Sequence, residues 1–247
     1  MISRKLLSDQ PSVRSPWFWV PSLYFAQGIP YVAVMIVSVL MYKRLGVSNT
    51  DIALYTSWLN LPWVIKPFWS PFVDLLKTKR WWVVTMQLLI GAGLAGVAFT
   101  IPTTFFFQAS LAVFWLLAFS SATHDIAADG FYMLALDSHE QAFFVGIRST
   151  FYRIAIIAGQ GVLVMFAGFL ENNTGNIPLA WSITFFILGG LFLGLFLYHR
   201  YILPLPEGDK PSVTVTPSTI VKEFFATFVS FFKKKQAFVA ILFMLLY

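Results

Sequence analysis

Between Trp17 and Tyr42 the chain is apolar almost throughout, yet a Gln, a Gly and a Pro fall in the middle of this run, in the stretch LYFAQGIP from Leu23 to Pro30. About 20 apolar residues at 1.5 Å per residue cross the hydrocarbon core of a bilayer, so the run is long enough to be a membrane helix. A helix break at that depth is tolerated only where neighbouring helices or a cavity satisfy the freed backbone groups. A plain anchor has no use for such an interruption. A polytopic transporter or channel, whose first helix lines a path through the membrane, does.

Composition agrees. The chain is 58% hydrophobic and 11% charged, with 27 Phe, more apolar surface than a water-soluble core of 247 residues could absorb. It reads as an integral membrane protein. The absence of Cys excludes a disulfide framework, a thiolate nucleophile and a Cys-ligated metal. Residues 1–16 are polar, with Arg4, Lys5 and Arg14, and form an expected cytoplasmic N-terminal segment. They are not a signal peptide, because the apolar run that follows is too long for one and no small-residue cleavage site closes it.

Apolar windows and helix breakers predict an all-α fold with six spans, at 17–42, 51–75, 81–101, 104–134, 146–170 and 179–199, a transmembrane bundle over 17–199. Ser48 to Thr50, Pro102-Thr103 and the Glu171 to Pro178 connector supply the terminating and capping residues between them. Thirteen Lys and Arg fall on the side of the N-terminus, against Lys43 and Arg44 on the other, which orients the N-terminus to the cytoplasm. The net charge of +6 is then a topology signal and an attraction to anionic membrane lipids, not a nucleic-acid footprint.

A polar linker with four prolines follows Arg200, and Thr216-Pro217 opens an expected amphipathic helix that completes the 200–235 cytoplasmic region. Its face of Ile220, Val221, Phe224, Phe225, Phe228, Phe231 and Phe232 suits either the inner leaflet or packing on the membrane domain. At 236–247 a new apolar run begins and stops, too short to cross a bilayer, and reads as the start of a seventh helix in a truncated copy of a longer protein.

Ionisable groups inside the spans carry most of the functional information, because a charge at mid-bilayer is costly unless it faces protein or water. Lys66, in KPFWSPFVD (66–74), reads as a cavity cation for an anionic substrate, as a partner in proton coupling, or as a snorkelling or salt-bridged structural lysine. Asp125 and Asp129, in ATHDIAADGFY (122–132), stand one turn apart on one helix face, a spacing that suits a proton relay or carboxylates pairing with Lys66, Arg148 or Arg153. Asp125, the deeper of the two, is the candidate proton carrier, and Asp129 is expected to pair with the basic cluster at Lys77 to Arg80. His124, a residue type whose free imidazole titrates near neutral pH, is a second coupling candidate, although adjacent helical residues diverge by about 100°. Arg153 is expected to neutralise Asp125. Gln27 and Gln160 are mid-span amides, suited to interhelical bonds or to substrate.

Two apparent motifs are set aside. The run Gly91-Ala92-Gly93-Leu94-Ala95-Gly96 has the form G-x-G-x-x-G but lies within an apolar span with no preceding strand, and small-residue helix packing accounts for it. His124, Asp125, Asp129 and His139 form no recognised metal-ligand spacing, and no G-x-S-x-G or H-E-x-x-H is present, so neither a cofactor nor an enzyme activity is expected.

The residues LYFAQGIPY (23–31), KPFWSPFVD (66–74), ATHDIAAD (122–129) and the Tyr152-Arg153 pair together resemble the major facilitator superfamily, and within it the AmpG-type muropeptide permeases and acetyl-coenzyme A transporters. KPFWSPFVD followed by Lys77, Lys79 and Arg80 resembles the superfamily's signature between helices two and three, with Ser70 where Gly is usual. His124 and Tyr132 stand where the family pattern has a Gln and a basic residue. The resemblance implies a twelve-helix transporter of two six-helix bundles, of which this chain is the N-terminal one, with the missing C-terminal half completing the cavity.

It further implies a proton-coupled importer of a small solute in the bacterial inner membrane. The solute would be a muropeptide or another anionic compound, with siderophores and acyl-coenzyme A as alternatives within the family. In that reading Lys66 and Arg153 attract the substrate and Gln27 and Tyr31 line the first-helix break. Asp74 with Lys77 and Arg80 holds the cytoplasmic gate. A non-transporting scaffold, in which these charges are only structural pairs, is the alternative from another class.

Overall fold

The computed structural model describes residues 15–210, together with positions 225, 226, 229, 230 and 233, which are helical. The rest of the N-terminal segment and of the amphipathic helix, and the start of a seventh helix, lie outside the described residues. All regular structure among the described residues is helical. Five helices among the described residues are long and apolar enough to cross a membrane: α1 (Pro16–Arg44), α5 (Lys79–Thr100), α6 (Phe106–Ala135), α7 (Ser138–Thr174) and α8 (Ile177–Ile202). Between α1 and α5 lie three short pieces, α2 (Asn49–Thr56), α3 (Leu61–Val64) and α4 (Ser70–Leu76).

Those short pieces correct the expected continuous span over 51–75. Pro62, Pro67 and Pro71 each stand within the first two positions of a new helical piece, with tighter three-residue turns at Ser57–Asn60 and Lys66–Phe68 between them. A proline has no N–H to give to the preceding turn and its ring crowds that turn's carbonyl, so three of them within ten residues cut the segment into fragments. The fragments still pack along α6.

The expected break in α1 is corrected as well. Pro30 is accommodated inside the helix, and the disturbance emerges just beyond it as a widened turn over Ala33–Val37. A matching widened turn, Gly159–Leu163, lies in α7. The two meet: a Cβ placed on Gly159 would stand 2.2 Å from Val32 Cγ1, and one on Gly28 would stand 2.7 Å from Ala155 Cβ and 2.9 Å from the Tyr152 carbonyl. Only the missing side chains let α1 and α7 approach so closely.

The glycine run in α5 serves the same purpose. Gly91 packs against Gly189 of α8 and Gly93 against Leu117 of α6, which confirms the helix-packing reading. Two apolar clusters fill the bundle. One gathers Trp19, Leu23, Val83, Phe131 and Phe144 near the start of α1; the other gathers Ile29, Val34, Met41, Leu94, Phe114 and Phe185 toward its end. Gln27, Gln87, Ser121, His124 and Asp125, all buried, lie between them along α1, α5 and α6.

The α1–α7 contact is directly testable. Gly159→Ala is expected to destabilise the purified protein by about 1–3 kcal/mol through overpacking. Val32→Ala in the same chain restores part of the loss, and Gly168→Ala, where a Cβ meets nothing within 4 Å, leaves the thermal midpoint unchanged. Fluorescence-detected thermal unfolding of the three variants beside the native protein checks this.

Candidate functional site

Asp125 comes from the middle of α6 and is 7% exposed. One carboxylate oxygen, Oδ2, lies 3.5 Å from Lys66 Nζ; the other, Oδ1, is buried with no hydrogen-bond partner among the described residues. The proline-broken segment makes this pairing possible, because Lys66 opens the turn after α3 and its side chain is directed at α6 rather than along a helix of its own. Gln27 of α1 lies beside the same carboxyl group, 8% exposed, with its own amide oxygen unpartnered. Lys66, and not Arg153, is therefore the counter-charge of Asp125.

One turn along α6, Asp129 accepts a hydrogen bond from the Tyr24 hydroxyl at 3.0 Å and stands 3.6 Å from Arg148 Nη1. Arg148 donates to the Tyr24 hydroxyl at 3.1 Å, and its guanidinium lies 5.0 and 5.1 Å from the ring centres of Tyr24 and Tyr132. Such stacking holds an arginine in one orientation while leaving its edge available. The expected pairing of Asp129 with Lys77 to Arg80 is thus replaced by a pairing with α7.

Beside these groups opens a cavity of about 390 Å³ walled by Gln27, Asp129, Arg148, Tyr152 and Arg153. Arg153 is exposed there and has no hydrogen-bond or ion-pair partner among the described residues. Gln27, Arg153 and the Asp125–Lys66 pair are therefore brought into one region, joined by Arg148, Tyr24 and Tyr152. Tyr31 instead packs edge-on against Trp63 at 5.2 Å. Gln160 is exposed in the widened turn of α7 and is not among the residues walling the cavity.

His124 is turned to the other side of α6 and fully buried. Gln87 of α5 donates from its amide nitrogen to His124 Nε2 at 3.1 Å, and its carbonyl accepts from His199 Nδ1 of α8 at 3.0 Å. His199 Nε2 lies 3.0 Å from the Ser22 hydroxyl of α1. This chain crosses four helices and does not reach Asp125, which removes the geometric basis for pairing the two residues in one coupling step.

The charges at the turn into α5 are arranged differently from the expected cluster. Asp74 is ion-paired with Lys79, whose stem crosses α6 where Gly130 has no side chain. Lys77 lies over the Trp81 ring at 5.9 Å. Arg80 reaches the carbonyls of Arg200 and Leu203 at the end of α8, and Asp209 accepts the backbone N–H groups of Lys79 and Arg80.

At the other end of the bundle a second clamp escaped the sequence reading. Glu171 of α7, 8% exposed, accepts from Arg44 of α1 through both Nε and Nη2 and from Trp181 Nε1 of α8 at 2.7 Å. The available signal was an acidic residue at the end of one apolar span facing a basic one at the end of another. Charge-assisted bonds of this kind are the stronger ones. Glu171→Gln is expected to lower the thermal midpoint more than Trp181→Phe, because it weakens both arms of the clamp; unfolding of the two variants side by side checks this.

The described helices thus form a bundle suited to a membrane, with charged groups gathered beside an open cavity. Residues 25–247 match the BT1 family, and the chain belongs to that family. It is 27% identical over 237 residues to a putative transporter, AmpG 4, of Rickettsia conorii, covering 87% of this chain and 52% of the relative. It is 24% identical over 233 residues to the anhydromuropeptide permease of Escherichia coli K12, covering 91% of this chain and 44% of the relative. An uncharacterized membrane protein of Saccharomyces cerevisiae is 28% identical over 233 residues, covering 79% and 40%. The chain spans about half the length, or less, of these relatives. It is a multi-pass membrane protein of a transporter family.

Proposed function

We propose that this chain provides one wall of the central cavity of a proton-coupled importer for a small anionic solute. The carrying observation is the Asp125–Lys66 pair: a buried carboxyl group with one oxygen 3.5 Å from a lysine and the other unpartnered, beside a cavity walled by two arginines. Asp125 would exchange a proton with the cavity. Lys66 would hold the carboxylate when that proton is absent and be released when it is present. Arg153 and Arg148 would attract the solute's anionic groups, and Gln27 would contact solute or carboxyl. The Asp74–Lys79 pair and the Arg80 contacts would steady the end of the bundle that closes. The family relationship supports anhydromuropeptide as the first solute to try.

Uptake of labelled anhydromuropeptide into energised cells expressing the protein is expected to collapse with a protonophore. Asp125→Asn should abolish accumulation against a gradient while leaving solute exchange intact. Arg153→Gln should raise the half-saturating concentration about ten-fold, the loss of one charge-assisted contact worth roughly 1.4 kcal/mol. Uptake unchanged by the protonophore removes the coupling, and accumulation by Asp125→Asn equal to that of the native protein removes this residue from it. If neutralising Lys66, Asp125 or Arg153 alters protein yield but never flux, the charges are structural pairs and the scaffold reading takes their place.

A further inference from the structure

A second cavity, of about 490 Å³, lies away from the transport site in the furrow between α5 and α8. Its lower walls are largely apolar: Val84 and Leu88, with Thr85 between them, along one side of α5, and Phe196 of α8. Its upper rim is polar, with Thr78, Arg80 and Arg200. From Thr78 to Leu88 the furrow runs ten residues along the helix, about 15 Å. One turn farther the two helices meet backbone to backbone at Gly91 and Gly189, which closes it.

The rim is cationic. Asp209 also lines the furrow, but its two oxygens accept the Lys79 and Arg80 backbone N–H groups at 2.5 and 2.9 Å and its charge is directed into the start of α5. Arg80 is held in place across the rim by the carbonyls of Arg200 and Leu203. The Arg200 side chain is exposed and has no hydrogen-bond or ion-pair partner among the described residues. An aromatic residue at the rim, Trp81, 44% exposed with Lys77 over its ring, is the side chain expected at the level of lipid headgroups.

We propose that this furrow is a binding site for one anionic phospholipid, its phosphate on Arg200 and an acyl chain lying along Val84, Leu88 and Phe196. A polar, cationic mouth above an apolar trough that ends at mid-depth complements such a lipid in both charge and length. A soluble phosphate would leave the trough unfilled, and a lipid without net charge would leave the Arg200 guanidinium without a counter-charge. The bound lipid bridges α5 and α8 where the linker after α8 folds back onto α5, and so stabilises that junction.

The test uses the protein in phosphatidylcholine nanodiscs with and without phosphatidylglycerol, read by thermal unfolding and by native mass spectrometry. Phosphatidylglycerol is expected to raise the thermal midpoint and to remain bound at one copy per protein. Arg200→Gln should weaken that binding about five-fold, the share of one surface arginine. Leu88→Trp, which fills the trough and leaves the charges in place, should weaken it too, whereas Lys43→Gln at the far end of the bundle should not. The proposal fails if phosphatidylcholine is retained equally, if Lys43→Gln and Arg200→Gln have the same effect, or if glycerol phosphate alone gives the same stabilisation.

Discussion

A layer of polar side chains buried between two apolar clusters holds this bundle in register. At that depth no water is available to a buried donor or acceptor, so each polar group must find its partner on another helix or on a ligand. Gln87 resolves this for the outer helices: its amide serves His124 on one side and His199 on the other, and Ser22 completes the connection to α1. Four helices are tied at one level by side chains with few alternative partners. Asp125 Oδ1 and the Gln27 amide oxygen, which the chain of bonds does not reach, lie on the side of the cavity that Gln27 walls, and Ser121 Oγ and His124 Nδ1 of the same layer also have no partner among the described residues. The same layer therefore contains a bonded chain, which ties the helices together, and beside it the carboxyl group and amide that have the chemistry.

The contact between α1 and α7 sets where that carboxyl group and amide lie. Gly28 touches the Tyr152 carbonyl, so the residues next to each, Gln27 and Arg153, arrive at one opening. Each helix widens by a turn within a few residues of this contact, α1 after Pro30 and α7 at Gly159. Widened turns of this kind are frequent at functional sites, because they redirect the side chains beyond them without ending the helix. The Arg44–Glu171 clamp closes the same helix pair at one end and the Tyr24–Arg148 contact at the other. The cavity lies nearer the second, where the pairing is longer and more exposed.

Partner choice is where residue-by-residue reading of the sequence ran out. That Asp125 and Asp129 share a face follows from helical periodicity alone, and both do face charged partners. Which cation each meets depends on the neighbouring helix. Asp129 meets Arg148 because α7 packs there, and Asp125 meets Lys66 because three prolines bend that segment toward α6. His124 shows the reverse case. Its neighbour in sequence suggested a shared role, but a 100° step around the helix carried it to Gln87 and out of the cavity.

Apolar run length, the distribution of positive charge and the small-residue stripe at 91–96 were sufficient to specify an all-helical membrane bundle and a helix-packing role for its glycines. These properties depend on the solvent and on local periodicity, both written along the chain. The widened turn beyond Pro30 in α1, the fragmentation of the second segment, the Glu171 clamp and the partner each buried charge meets were decided only in the folded bundle. They depend on which helices become neighbours and how closely their backbones approach, and the linear order of residues does not carry those distances.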